Sequence, residues 1–376
     1  MIRLLILHSR GNQVQGGTVT FLRHLLTYLD RTQFEPHLVF LSPGELARQF
    51  EPLAASVTVL EVPHIRQLGR TGAAICRLGR FIKDRDIHLV FSNEGRAHIL
   101  GGLAALANRR PAWWYCHGIG DRVEGLDRLV AIVPVDLVLT HGIYTESLLR
   151  ERFPRLPTHV LHLGIEIPPT PLPSPGIRQS LGIPENCPLI GSVGMLTAWK
   201  GQDILLQALP QIRAHIPEVQ ALIVGDAPFE SDKPFVQKLH DLVEDLNLQE
   251  SVVFTGFRTD ILDLMAACDL FVHTSVSPEP FGIVLLEAMA AERPVIASAG
   301  GGPCEIIDDG ETGILVPPGD PEALAQACIS LLQDPCRRQA MGRKGREHVA
   351  RNFSAAKMAR EFEALIKGRC PIVQNQ

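Results

Sequence analysis

Two glutamates eight positions apart, Glu279 and Glu287, bracket the stretch EPFGIVLLE, the part of the sequence that comes closest to declaring a chemistry. Pro280 and Gly282 set a turn ahead of the apolar run Ile283–Leu286, so the pattern predicts a helix whose first turn is Gly282, Ile283 and Val284. The unbonded N–H groups of a first helical turn, at the positive end of the helix dipole, suit a diphosphate. Glu287 falls about one and a half turns into that helix, where it can accept hydrogen bonds from sugar-type hydroxyls. The plainer alternative is a helix start with an acid beside it and an unrelated helical glutamate. A pair of glutamates at this spacing is common by chance; the whole string, placed behind a β-branched run at Leu270–His273, is not.

Two further loops hold suitable groups. In Gly194–Gly201 (GMLTAWKG), Gly194 lets backbone approach a ligand closely and Lys200 brings a charge that could meet phosphate. On its own, such a lysine is more often a solvated surface residue. In Ala299–Ile306, Gly300, Gly301 and Gly302 make either a tight turn or the opening of a helix. Asp84-Arg85-Asp86 imitates a metal-binding D-x-D, but it precedes a strand instead of following one, so a helix-to-strand turn explains it better. Asn352-Phe353-Ser354 is a glycosylation sequon with no secretory signal to accompany it. No dinucleotide fingerprint, Walker loop, nucleophile elbow or zinc spacing occurs, and no metal site is expected.

All of these loops need strands to hold them. Short β-branched runs at Leu4–Leu7, His37–Leu41, Val57–Leu60, His88–Phe91, Trp113–Cys116, Leu137–Thr140 and His159–Leu161 alternate with helical patterns, as in a parallel α/β sheet. A second series runs Leu189–Val193, Ala221–Val224, Val252–Phe254, Leu270–His273 and Val295–Ala297. Between the two series, residues 166–188 contain seven prolines and read as a stiff linker. The expected organisation is a Rossmann-like domain over 1–165, a linker over 166–188 and a second Rossmann-like domain over 189–352. A helix over 353–376 is expected to cross back to the first. Ligands of such sheets sit where strands end and helices begin.

Composition narrows the setting. The 376 residues carry a net charge of −5, which argues against a general nucleic-acid binder. The charge is uneven, with 19 basic against 14 acidic residues up to 164 and 17 against 27 thereafter. Between Val62 and Lys83 there is no acid, while Arg66, Arg70, Arg77, Arg80 and Lys83 recur beside Ile75, Leu78, Phe81 and Ile82. A basic amphipathic helix can dock on anionic lipid or an acidic partner; the alternative is a core-facing helix with a solvated basic face. The eight cysteines lack any C-x-x-C pair and suit a reducing compartment. Met1–Ser9 reads as a first strand, not a signal peptide, and no apolar run reaches the ~18 residues of a membrane span. The chain is expected to be cytoplasmic, at most peripheral on the cytoplasmic face of a membrane.

Together the three loops resemble the retaining glycosyltransferases of the sucrose-synthase-like and lipopolysaccharide-type group, glycosyltransferase family 4 (group 1). The marker is E-x7-E, met by Glu279 and Glu287, within EPFGIVLLEAMAAERPVIASAGGGPCEII and the later GILVPPGD. The resemblance implies the α/β GT-B architecture, two Rossmann-like α/β/α domains facing across a cleft. It also implies a nucleotide-diphosphate sugar as donor and retention of configuration. The acceptor stays open among a glycan, a lipid-linked molecule and a small molecule, the basic helix hinting at a lipid-linked or anionic one. No cofactor or metal is expected, because no paired-aspartate site occurs. By the same resemblance, Glu279 lies near the sugar hydroxyls and Glu287 near the ribose. The amides of Gly282, Ile283 and Val284, joined by Lys200, hold the diphosphate, and Phe281 counts among the donor-binding residues. Gly225 matches the family's G-D turn, and Arg258, in Thr255–Arg258, matches the segment bordering the base. Gly16 and Gly17 are similar to the acceptor-side glycine pair, and His117, in YCHG, to a histidine touching the transferring sugar. A flexible turn and a packed histidine are the ordinary readings of those last two. Met195 stands where the family commonly carries an arginine, which removes one counter-charge to the diphosphate. An epimerase of the same architecture and a non-catalytic nucleotide-sugar binder remain the competing functions.

Overall fold

The computed structural model describes residues 1–12, 16–62, 67–118, 125–168 and 176–369, without the side chains of Leu68 and residues 125–128. Arg66, Cys370 and part of the expected linker lie outside these. The chain divides into two compact units, Met1–Glu166 with Phe353–Gln376, and Ile167–Asn352. Each is a parallel sheet flanked by helices, the architecture of the GT-B fold.

In the first unit the strands are β1 (Ile2–His8), β2 (Phe34–Phe40), β3 (Ser56–Val59), β4 (Leu89–Ser92), β5 (Ala112–Cys116), β6 (Leu137–Thr140) and β7 (Thr158–Val160). They lie in the order β3-β2-β1-β4-β5-β6-β7. In the second unit β8 (Leu189–Val193), β9 (Gln220–Val224), β10 (Val252–Phe254), β11 (Leu270–His273), β12 (Val295–Ser298) and β13 (Ile314–Val316) lie in the order β10-β9-β8-β11-β12-β13. Every pairing recorded between these strands is parallel. In both sheets the chain winds outwards from the first strand, then returns and winds the other way. The reversal points are β1/β4 and β8/β11, and adjacent crossovers there leave on opposite faces and open a crevice at the strands' carboxyl ends.

Why these segments become strands shows best in the second sheet. Ile190, Ala221 and Ile223 point into one core with Leu205, Leu209 and Leu324, while Leu189, Leu222 and Val224 point into another with Leu264. Successive residues of a strand face opposite sides, so a strand buried on both faces must be apolar throughout, as these runs are.

Two expectations need correction. Residues 177–188 are not linker: Ile177–Ser180 is a short helix, and Ile183 and Cys187 are buried in the core beside Leu189. Of the Pro-rich stretch, the segment 169–175 lies outside the described residues. The second sheet also has a strand, β13, absent from the sequence reading; it is only three residues long and pairs with β12 alone. The basic helix runs over Leu68–Asp84, with Ala74, Leu78 and Ile82 buried in the core and Arg70, Arg77, Arg80 and Lys83 exposed, so its apolar face is core-facing and its basic face is open to solvent.

Beyond the second unit the helix Ala355–Arg369 belongs to the first. Its Phe362 ring lies 5.0 Å from Phe91 and 6.1 Å from Trp113, and Glu363 Oε1 accepts from the Asp30 amide at 2.7 Å. Asp84-Arg85-Asp86 is a helix-to-strand turn whose Asp86 pairs with Arg3 and Arg110. Seven cysteines are free thiols. Among the described residues, no helix is long and apolar enough to cross a membrane.

Candidate active site

At the β8/β11 reversal point, two loops are pinned to each other by their backbones. After β8 the chain forms one 3-10 turn, Ala198–Lys200. The Trp199 carbonyl accepts from the Val276 amide at 2.9 Å, and the Lys200 carbonyl accepts from Thr274 Oγ1 at 3.2 Å. The loop after β11 therefore carries Lys200 to Glu279, whose Oε2 accepts from Lys200 Nζ at 2.5 Å. The same oxygen accepts from His273 Nε2 at 3.0 Å and from Ser275 Oγ at 3.1 Å. The ammonium also sits over the Trp199 ring, 4.3 Å from its centre.

Burial by itself would raise the Glu279 carboxyl. The hydrogen bond from His273 and the Lys200 charge outweigh it, and the pKa falls to about 2. Glu279 is thus a fixed anion, 7% exposed. Its loop rests on the glycine run after β12. A Cβ on Gly301 would stand 2.1 Å from the Glu279 carbonyl oxygen, and one on Gly302 would stand 2.1 Å from that of Phe281. The run is therefore a close backbone contact; of the two sequence readings, it also opens a helix, but only of four residues, Pro303–Ile306.

Gly282 turns the chain into the helix Ile283–Ala290 at φ 98°, a left-handed conformation costly for any residue with a Cβ. The amides of Gly282, Ile283 and Val284 precede the first intrahelical bond and have no acceptor among the described residues. On the same helix, half-buried Glu287 has neither hydrogen bond nor ion pair among the described residues, and burial pushes its carboxyl up to about 7. Phe281 is 2% exposed and anchors the loop in the interior instead of offering a ligand a surface.

The other expected donor-side residues surround the neighbouring strand ends. The Gly194 amide donates to the Val224 carbonyl, and the Gly225 amide to the Gly256 carbonyl, each at 3.0 Å. Arg258, after the edge strand β10, is forked onto the Asp260 carboxylate at 2.8 and 2.5 Å. The structure therefore joins Lys200, Glu279 and the helix start, and leaves Arg258 engaged elsewhere. Met195 is 46% exposed beside this site and supplies no charge.

In the first unit, at the β1/β4 reversal point, the cluster is built on imidazoles, with the Glu94 carboxylate at its edge: Glu94 Oε2 accepts from the Ser9 amide at 2.8 Å and lies 3.9 Å from His8 Nδ1. Gly16 caps the helix Gly17–Tyr28. Asn93, just past β4, donates to the Thr18 carbonyl in that helix's first turn at 3.0 Å and to His8 Nδ1 at 3.1 Å, while its Oδ1 is 3.0 Å from His117 Nε2. His141 Nε2 donates to the His117 carbonyl at 2.8 Å. Burial holds the His117 imidazole well below its usual pKa, with the neighbouring histidines adding to the effect. The first turn of that helix, through the Thr18 carbonyl, and His117 are thus tied into one network by Asn93.

Asn93, His273 and Ser275 were not singled out from the sequence. A strand-end position next to a chosen site was the only signal they carried. Among the described residues, no group of three or more His, Cys, Asp or Glu side chains is arranged to hold a metal ion.

Comparison with known proteins supplies family matches to both units. Residues 15–167 match the model described as Glycosyltransferase Family 4, and residues 174–348 that of Glycosyl transferases group 1. A GDP-mannose-dependent monoacylated alpha-(1-6)-phosphatidylinositol monomannoside mannosyltransferase of Corynebacterium glutamicum is 35% identical over 58% of this chain and 59% of its own length. The GDP-mannose-dependent alpha-(1-6)-phosphatidylinositol monomannoside mannosyltransferase of Mycolicibacterium smegmatis is 29% identical over 94% of this chain and 96% of its own. Among solved structures, Anabaena Alr3699/HepE in complex with UDP and glucose superposes with a TM-score of 0.83 at 27% identity, covering 98% of this chain and 100% of that one.

Proposed function

We infer the reaction from one premise: this chain is a glycosyltransferase of the GT-B fold, related to the family 4 and group 1 enzymes, and it uses a nucleotide-diphosphate sugar. We propose that it transfers a hexose with retention of configuration to a glycan or lipid-linked acceptor, with no metal taking part. The observation that carries this reading is the Lys200–Glu279 pair beside the open helix start Gly282–Val284.

As the glycosidic bond breaks, negative charge grows on the departing diphosphate and positive charge on the sugar ring. Stabilising developing charge with groups already in place is the largest task such a site performs. The Lys200 ammonium and the amides of Gly282, Ile283 and Val284 supply the positive side, in the role a metal would otherwise fill. The Glu279 carboxylate stays ionised, takes a sugar hydroxyl and faces the developing oxocarbenium charge. It is not assigned as a nucleophile; the acceptor hydroxyl attacks from the face the diphosphate leaves and passes its proton to the departing diphosphate oxygen. Glu287 takes the ribose hydroxyls, and Gly194 and Gly225 shape the floor below the nucleotide. Gly16, Gly17 and His117 are proposed contacts of the donor phosphate and the transferring sugar.

The two mannosyltransferase relatives are named for phosphatidylinositol mannoside substrates. With the exposed Arg70, Arg77, Arg80 and Lys83, that supports an acceptor presented at an anionic membrane, the chain docking peripherally on its cytoplasmic face.

The test is thermal shift against UDP, GDP and ADP and their hexose conjugates, with and without EDTA. Stabilisation by one nucleotide series, unchanged by EDTA and lost in Lys200→Ala, is expected. A shift abolished by EDTA would end the metal-free proposal.

A further inference from the structure

We propose that His273 and Ser275 are positioning residues for sugar selection. With Lys200 they occupy one oxygen of the Glu279 carboxylate and leave the other, Oε1, as the sole acceptor facing the donor sugar. This rests on the reading of Glu279 as the residue that meets the sugar.

Three donors converge on Oε2, from Lys200, His273 and Ser275, and no described residue donates to Oε1. A carboxylate with both oxygens open can accept from two adjacent hydroxyls at once. One loaded in this way takes a hydroxyl through Oε1 alone, in a direction fixed by the three bonds opposite. The orientation of one sugar carbon's hydroxyl then decides the fit.

The imidazole itself argues for this role. His273 is the last residue of β11 and 5% exposed, and its Nδ1 is buried without a partner among the described residues. An unpaired buried nitrogen is a cost to folding, and an apolar side chain would suit a strand end in this core better. What the ring supplies in return is the Nε2 proton directed at Glu279. Ser275 reinforces it, with Oγ also 3.4 Å from His273 Nε2.

The arrangement also separates two tasks. Lys200 is bonded to the carboxylate in the absence of ligand, yet it is the residue expected to meet diphosphate. When the ammonium turns towards phosphate, the donors on His273 and Ser275 keep Oε2 bonded. Glu279 therefore stays oriented while Lys200 moves.

Calorimetry with UDP-glucose, UDP-galactose and GDP-mannose, each set against its own free nucleoside diphosphate, separates these contributions. For the best-bound nucleotide sugar, His273→Leu should weaken affinity by at least about tenfold, the size expected for a hydrogen bond to a charged group. The free nucleoside diphosphate should change by less than about twofold. The preference among the hexoses should narrow, His273→Gln should restore most of the loss through its amide N–H, and Ser275→Ala should show the same pattern more weakly. If His273→Leu does not fold, His273→Asn, whose amide is too short to reach Oε2, replaces it with the same expectations.

Equal losses for nucleotide sugar and free nucleotide would overturn the proposal, because His273 would then only be holding the strand. A folded variant with unchanged affinity and hexose preference would overturn it as well. Glu279→Gln in the same panel tells the two readings apart. If it binds every sugar as wild type does, the assignment of Glu279 fails; if it loses the sugar while His273→Leu does not, only the role of His273 fails.

Discussion

The two reversal points occupy equivalent places in their sheets and are built from opposite electrostatics. At β8/β11 a carboxylate held ionised at a pKa of about 2 is bonded to an ammonium. At β1/β4 an asparagine links imidazoles that burial keeps towards the neutral form. Equivalent topology therefore dictates where a site forms, and the local side chains dictate what it can stabilise. The first arrangement matches a reaction in which charge separates. The second, imidazoles kept towards the neutral form with a single carboxylate, Glu94, beside His8, suits recognition of hydroxyls.

Removing the charge from the second unit should have the largest effect. Lys200→Ala is expected to lower turnover of the donor by about 10²–10³-fold, the range found when one preorganised donor to a developing anion is lost. Steady-state release of nucleoside diphosphate measures it, and a loss below about tenfold would break the contrast. Next comes the basic helix. Neutralising Arg77, Arg80 and Lys83 together should weaken binding to vesicles containing phosphatidylserine by about 10²-fold, at roughly 1 kcal/mol per charge. Co-sedimentation reads this directly, and no binding by the parent chain would dispose of the membrane proposal.

Bringing a second carboxylate to the imidazole cluster sharpens the comparison from the other side. Asn93→Asp would set a carboxylate against His117 and raise its pKa, so an acid limb should appear in the pH–kcat profile where the parent is flat. A smaller effect concerns Glu287. Its carboxyl is protonated below about 7 and ionised above, and in its proposed role only the ionised form would accept from both ribose hydroxyls. Donor Kd should therefore fall as pH rises from 6 to 8 by up to about tenfold. Binding below pH 7 should release a proton to buffer, and Glu287→Gln should abolish both. Smallest of all, Arg258→Ala should change donor affinity by less than about threefold, because the guanidinium is already committed to Asp260.

Much of this was legible in the chain itself. The interior strands of both sheets are apolar because both of their faces are buried, and that leaves a plain record in the sequence. The pairing of Glu279 with the following helix start was legible too, because Pro280 and Gly282 fix a turn by local sterics. What escaped notice had no local cause. β13 is three residues whose partner lies elsewhere in the chain, and 177–188 folds because Ile183 and Cys187 find a core that proline content does not advertise. His273 and Asn93 look like ordinary strand-end residues until the fold brings a carboxylate to one and an imidazole to the other. Arg258 shows the converse: its type and place suggested a ligand contact, while its partner is two residues away.

The floor under Glu279 has a practical consequence for anyone wishing to change which sugar is accepted. Since Gly301 and Gly302 touch the neighbouring main chain with no room for a single methyl, saturation libraries at those positions should return only inactive or misfolded clones. Altered preference will have to be sought in the side chains that grip the carboxylate from above, where substitutions change hydrogen bonds without lifting the loop.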